Sequence, residues 1–193
     1  IGGVHGILSY PSSAVRTSTD KKSRYQNYDG GRIYVQGTRV VEIHGAVFTE
    51  HEQVGGVHGV MGYPIGDLTP QADKRGKAQW FEGGFIWYTA ALGAHALWGK
   101  VNARYNANGN AKGYLKYPTS GPTPVGDGRG TYATFERGNI YSSTTTDGHQ
   151  VHGAVLTAYL DTYGGPTGTL GYPTSELDPA GTPGGRFQQF EGG

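Results

Sequence analysis

Leu8-Ser9-Tyr10-Pro11, Met61-Gly62-Tyr63-Pro64, Leu115-Lys116-Tyr117-Pro118 and Leu170-Gly171-Tyr172-Pro173 are four versions of one phrase, and their prolines lie 53, 54 and 55 residues apart. A period of this size marks one supersecondary unit copied along the chain, so function is expected from equivalent positions and not from one unique constellation. A second landmark fixes the register. Seventeen residues after each proline stands an aromatic followed by an acid: Tyr28-Asp29-Gly30-Gly31, Phe81-Glu82-Gly83-Gly84, Phe135-Glu136-Arg137-Gly138 and Phe190-Glu191-Gly192-Gly193. A third is a glycine, Gly45, Gly99 or Gly153, that opens a run with apolar residues at helical spacing and ends at Gly55-Gly56, Gly109-Asn110 or Gly164-Gly165.

The stretch from Phe81 to Tyr141 predicts the content of a unit. Phe85-Ile86-Trp87-Tyr88 reads as a strand, and a helix is expected from about Lys100 to Asn106. Thr119 to Gly130 is a polar loop, and Thr131 to Glu136 is a second strand returning through Arg137-Gly138 toward Ile140. Each unit is thus a short hairpin plus a short helix. Helices below about 12 to 15 residues are marginal alone in water, so neighbouring units must supply the core. Tyr10, Tyr63, Tyr117 and Tyr172, with Tyr28, Phe81, Phe135 and Phe190, are expected to be mostly core or half-core. The predicted fold is an α+β tandem repeat of about four units, closed into a propeller-like ring or a tight superhelix. Its frame is a partial unit over 1–27, units over about 28–80, 81–134 and 135–189, and a terminal turn over 190–193, all in one repeat domain. The chain starts and stops off the repeat boundary, so the two ends are expected either to complete one unit in space or to belong to a longer natural chain.

Composition narrows the function classes. Thirty-five glycines and ten prolines punctuate the chain densely, while 12% aromatic content argues against disorder. Sixteen basic against fifteen acidic residues leave a net charge of +1, without the electrostatic footprint that captures nucleic acid. No cysteine is present, which excludes disulfides and thiolate metal sites. No apolar run reaches the roughly 18 residues of a membrane span.

Three ordered phrases together carry a family resemblance: Leu170-Gly171-Tyr172-Pro173-Thr174-Ser175-Glu176, Gly93-Ala94-His95-Ala96-Leu97-Trp98-Gly99, and Gly185-Arg186-Phe187-Gln188-Gln189-Phe190-Glu191-Gly192-Gly193. They make nearly the whole chain resemble the LGFP tandem repeat. The resemblance implies a secreted or wall-associated module of actinobacterial and related proteins, appended to mycolyltransferases, amidases or other wall hydrolases, that holds its host to cell-wall polysaccharide. It supplies no catalytic residue. Ser9 and Lys116 depart from the glycine of the name phrase, His51 stands where the other helices carry Tyr105 and Tyr159, and Arg39-Val40-Val41 replaces the histidine phrase in the first copy.

Saccharide recognition needs aromatic faces for the apolar side of a pyranose and polar groups for its hydroxyls. Trp80 is the first candidate, because Asn27, Thr134 and Gln189 hold its position elsewhere and a solvent-facing side chain is therefore expected. Trp87 with Tyr88, the equivalents Tyr34 and Tyr141, and Trp98 are further aromatic candidates. The turn acids Asp29, Glu82, Glu136 and Glu191 either cap backbone N–H groups or receive ligand hydroxyls. His95 and His149 precede Gly99 and Gly153 by four residues and are expected in turn or helix-end hydrogen bonds, or at a ligand. No His-Glu-x-x-His or Asp-x-Asp-x-Asp spacing points to zinc or calcium, and no cofactor motif occurs. The expected activity is non-catalytic glycan binding. Two alternatives stand beside it: a protein-binding scaffold, and a glycan hydrolase using carboxylates such as Asp67 and Glu82.

Overall fold

The constant offset of seventeen is the length of a loop that closes on itself. Pro11 bridges to Tyr28, Pro64 to Phe81, Pro118 to Phe135 and Pro173 to Phe190, all antiparallel. Beside each bridge the acid's N–H donates to the tyrosine carbonyl, at 3.0 Å for Asp29 to Tyr10, 3.0 Å for Glu82 to Tyr63, 3.0 Å for Glu136 to Tyr117 and 2.9 Å for Glu191 to Tyr172. The computed structural model describes residues 5–179 and 185–193.

Between these junctions the chain forms meanders. The first holds β1 (Arg16–Thr17), β2 (Arg24–Tyr28), β3 (Gly31–Gln36) and β4 (Arg39–His44), followed by α1 (Gly45–Gln53). The second holds β5 (Thr69–Pro70), β6 (Gly76–Phe81), β7 (Gly84–Thr89) and β8 (Gly93–Trp98), followed by α2 (Gly99–Ala107). The third holds β9 (Thr123–Pro124), β10 (Gly130–Phe135), β11 (Gly138–Ser143) and β12 (His149–His152), followed by α3 (Gly153–Asp161). A last pair, β13 (Asp178–Pro179) and β14 (Arg186–Phe187), begins a fourth. Strands follow chain order within every four-stranded sheet, and the central hairpin of each meander turns at the glycine phrase, as in Phe81 opposite Gly84.

Each helix begins on a left-handed glycine, with φ of 57° at Gly45, 60° at Gly99 and 60° at Gly153, after an extended residue, His44, Trp98 or His152. That step turns the chain out of its sheet at a conformation that disfavours side chains bearing a Cβ. The helix then packs on the next meander: α1 against β7, α2 against β11. Val47 and Val101 are 1% exposed, and Ile86 and Ile140 are fully buried. Every helix also places one ring on the following junction. His51 stacks on Phe81, Tyr105 on Phe135 and Tyr159 on Phe190, with centroids 4.9, 4.8 and 4.8 Å apart.

Two expectations need correction. A unit carries a third long strand and a short outer one, so it is a meander and not a hairpin. More importantly, the described residues form three separate four-stranded sheets and three short α-helices, with no closed barrel or propeller ring. Each sheet is an open meander whose strands pair with their own neighbours, with a short strand, β1, β5 or β9, at one edge, which limits what that edge offers for further pairing, and β4, β8 or β12 at the other. By contacts the chain divides into two compact units, Ile1–Ala96 and Leu97–Gly193, the boundary falling within β8.

Candidate functional site

One face of each meander carries the variation that distinguishes the copies. Residues directly opposite on β2 and β3 are Tyr25 with Tyr34 and Asn27 with Arg32. On β6 and β7 the same positions hold Ala78 with Trp87 and Trp80 with Phe85, and on β10 and β11 Tyr132 with Tyr141 and Thr134 with Asn139. Opposed residues share a face, so each copy has an inner pair that is mainly aromatic and an outer pair that differs.

In the first and third copies the outer pair is polar and serves the inner tyrosine. Arg32 donates to the Tyr34 hydroxyl at 2.7 Å, and Asn139 donates to the Tyr141 hydroxyl at 2.8 Å. Tyr34 and Tyr141 are themselves buried, and burial raises both phenols above the ordinary value, Tyr34 to about 12. In the second copy no inner hydroxyl needs a donor, and the outer pair becomes aromatic. Trp80 stacks on Phe85 with centroids 5.8 Å apart and planes 4° from parallel, and Phe85 in turn lies 6.0 Å from Trp87. Trp80 is 55% exposed. A broad, rigid aromatic surface therefore stands in solvent at that one position.

The first copy offers a different surface. A cleft of about 350 Å³ is lined by Thr19, Tyr25, Arg32, Tyr34, Glu52 and His58, among others. Arg32 is fixed from several sides: Nε donates to Asn27 Oδ1 at 2.7 Å, the terminal nitrogens reach Glu52 at 3.2 and 3.4 Å, and the guanidinium lies 5.1 Å from the ring centroids of both Tyr25 and Phe48. Its pKa is raised against the cost of its burial by the Tyr34 hydroxyl and the Glu52 carboxylate. Across the cleft Thr19 Oγ1 and His58 Nε2 are 2.9 Å apart. The wall thus mixes ring faces with hydrogen-bonding groups held in place by packing.

The remaining sequence candidates sort by burial. Trp87 is buried beneath Phe85 and, like Tyr34 and Tyr141, presents no free face to solvent. Trp98 is half-buried at the entry to α2. Tyr88 is half-buried and borders a groove with His44 and Lys77. His95 bonds the Leu92 carbonyl at 2.9 Å, a turn contact, and His149 Nδ1 meets Glu176 Oε1 at 3.0 Å. The turn acids act on the backbone: Glu82, Glu136 and Glu191 accept the N–H of Tyr63, Tyr117 and Tyr172 at 3.0, 3.0 and 3.2 Å. Asp29 is exposed. Tyr10, expected in the core, is 55% exposed.

The sequence reading missed Tyr25, Arg32, Glu52, Thr19 and His58, which the fold gathers from a strand pair, a loop and a helix end. It also missed an aspartate nine residues after three of the prolines, Asp20, Asp73 and Asp127, whose regular spacing was there to be read. Each ties its own turn by accepting a backbone N–H, Lys22, Arg75 or Arg129. Asp20 and Asp127 also receive the hydroxyl of the next copy's tyrosine, Tyr63 and Tyr172, both at 2.8 Å. These bonds hold both carboxyls below the ordinary range, Asp20 at about 2, with its largest contribution from the Ser18 hydroxyl. Among the described residues no cluster of three or more histidines and carboxylates is arranged to hold a metal, and no helix is long and apolar enough to cross a membrane.

Units that repeat the same junction, meander and helix define a tandem-repeat protein. The model of the LGFP repeat matches residues 61–113 and 115–168, more than half of the chain, and the chain belongs to the LGFP repeat family. No curated protein matches it.

Proposed function

We propose that the chain is a non-catalytic, extracytoplasmic binding module that recognises cell-wall or related polysaccharide and anchors a host protein to it. The observation that carries this reading is the Trp80 and Phe85 pair, an exposed parallel stack where the other copies are polar. A pyranose presents C–H groups on one face, and a flat indole backed by a second ring covers them without ordering a flexible side chain. The cleft around Arg32 supplies the complementary chemistry, charged and hydroxyl groups that replace water on sugar hydroxyls. Different surfaces on successive copies suit a polymer, whose neighbouring residues engage several weak sites at once and gain by effective concentration.

Co-sedimentation of the chain with insoluble cell-wall fractions, with the supernatant assayed for released sugar, tests the proposal. Binding without release is expected, and Trp80→Ala should weaken it about tenfold, the equivalent of about 1.4 kcal/mol, while the thermal midpoint stays unchanged. Release of soluble sugar, or retention of full binding by the variant, overturns the reading.

A further inference from the structure

The cleft of the first copy carries charges that the unit does not need in order to fold. Arg32 and Glu52 stand where the second copy has Phe85 and Asn106 and the third Asn139 and Leu160, and all three copies build the same meander and helix. The pair is matched within itself. The Glu52 carboxylate takes Nη1 and Nη2 of Arg32 at 3.2 and 3.4 Å, and the Tyr25 and Tyr34 ring centroids lie 5.1 and 5.6 Å from the guanidinium. A cation balanced and pinned in this way has no excess charge to offer an anion, and the carboxylate beside it would repel one.

What the pair leaves open is hydrogen-bonding capacity. Nε of Arg32 is taken by Asn27, and Nη1 by the Tyr34 hydroxyl and Glu52, which leaves one Nη2 N–H without a partner among the described residues. Each Glu52 oxygen meets Arg32 and keeps a lone pair for a further donor. The Glu52 side chain is 41% exposed against 18% for Arg32, so these acceptors face solvent. The rim beside them is kept low: Gly55 and Gly56 border the cleft, and a Cβ on Gly56 would stand 3.1 Å from Glu52 Oε1. In the second copy that position holds Asn110 at nearly the same backbone angle, φ of 56° against 58°, so the turn itself admits a side chain there. A free donor next to free carboxylate lone pairs matches adjacent hydroxyls, which donate to the carboxylate while one of them accepts from the guanidinium.

We propose that this cleft takes a neutral sugar unit by its vicinal diol, both hydroxyls donating to Glu52 and one accepting from Arg32. The inference rests on the polysaccharide reading and narrows it to polymers whose units carry free adjacent hydroxyls, against polymers held here through phosphate or carboxylate groups. Arg32 is fixed by Asn27, Tyr34 and the flanking rings before any ligand arrives, so binding orders little that is not already ordered.

Co-sedimentation isotherms of the intact chain on an insoluble cell-wall fraction test this, with the wall either untreated or oxidised by periodate and reduced with borohydride. Periodate cuts the carbon–carbon bond of vicinal diols and leaves phosphates and carboxylates in place. The wild type is expected to bind the oxidised wall at least about tenfold more weakly than the untreated one. Glu52→Gln supplies the deciding sign. Loss of the carboxylate charge releases Arg32, so an anionic group would bind the variant more tightly, whereas a neutral diol should bind it about tenfold more weakly. Gly56→Asn, the residue of the second copy at this position, should weaken binding to the untreated wall by covering Oε1, and it replaces Glu52→Gln if circular dichroism shows that the latter has lost its fold. On the oxidised wall the three chains should no longer differ. Tighter binding by Glu52→Gln, variants that bind the untreated wall as the wild type does, a difference that persists after oxidation, or wild-type binding that survives oxidation each overturns the diol assignment and leaves the polysaccharide reading standing. A wild type that sediments with no wall fraction overturns both.

Discussion

α1 and α3 do the same mechanical task with different anchors. In α3 the Tyr159 hydroxyl donates to the Gly171 carbonyl at 2.7 Å while the ring stacks on Phe190 at an interplanar angle of 28°. In α1 the anchor is His51, whose Nε2 lies 2.8 Å from the Gly62 carbonyl while the ring stacks on Phe81 at 25°. A carbonyl can only accept, so the imidazole proton sits on Nε2. The position demands a flat ring with one donor at a fixed reach, and two unlike residues meet that demand. They differ in what is left over. Tyrosine leaves nothing, while histidine leaves Nδ1 buried without a hydrogen bond, 3.7 Å from Glu52 Oε1.

Removing the anchors breaks the comparison at its strongest point. Tyr159→Ala empties a fully buried site between Tyr141 and Phe190 and orphans the Gly171 carbonyl, so a loss of about 3 to 5 kcal/mol is expected. His51→Ala removes a smaller ring, and about 2 to 3 kcal/mol is expected. Urea unfolding of the two variants reads the difference. Equal losses would mean that the carbonyl bond, and not the stacked ring, sets the value of the site.

The leftover nitrogen sharpens the comparison through pH. Burial holds the His51 imidazole below its ordinary value of 6.5, with Arg32 nearby lowering it further and the Gly62 carbonyl and Glu52 opposing. Because the unfolded chain binds the proton more readily, this contribution to stability is complete above the unfolded value and is lost as pH falls below it toward the folded one. His51→Tyr installs the anchor of α2 and α3. The thermal midpoint of the variant should fall less than that of the wild type between about pH 7 and about pH 5, where histidine titrates. A residual slope is expected from His152, whose pKa is also lowered by burial and by Arg186. Identical pH profiles would place the acid sensitivity of the chain away from α1.

The same contrast shows what the sequence makes legible. Period, register and helix positions are readable because each is enforced by a local rule: a bridge from proline to aromatic, a turn at paired glycines, a left-handed glycine at the helix entry. The third strand is harder, because the first copy has Arg39-Val40-Val41 where the others carry His95 and His149, and its register is set by pairing with the strand before it rather than by a repeated phrase. Burial of Tyr34 and Tyr141 is invisible for another reason. What covers them is distant in sequence or helical, Tyr63 edge-on to Tyr34 at 5.6 Å and Tyr159 edge-on to Tyr141 at 5.4 Å. Trp80 was legible as solvent-facing because its position is polar in every other copy. The cleft around Arg32 was not, since its walls come from three elements that meet only in the fold.

The smallest effect concerns the residue that presents the accepting carbonyl to each anchor. Ser9, Gly62, Lys116 and Gly171 all adopt φ between 60° and 65°, so the backbone geometry is imposed by the junction whatever the side chain. The Ser9, Gly62 and Gly171 N–H groups close a turn on a glycine carbonyl three residues back, and the Gly62, Lys116 and Gly171 carbonyls take the helix anchors. Lys116 holds this conformation at a steric cost of about 1 to 2 kcal/mol, of which glycine would recover a part after the added freedom of the unfolded chain is subtracted. Lys116→Gly should therefore stabilise the chain by about 0.5 to 1 kcal/mol. The reverse change is not its mirror image. A Cβ on Gly62 would overlap the Glu82 carboxylate that accepts the Tyr63 N–H, so Gly62→Ala should cost the conformational strain and loosen that bond as well, about 1 to 3 kcal/mol together. If thermal unfolding shows the two changes equal and opposite, strain alone governs the position and the turn acid contributes nothing to it.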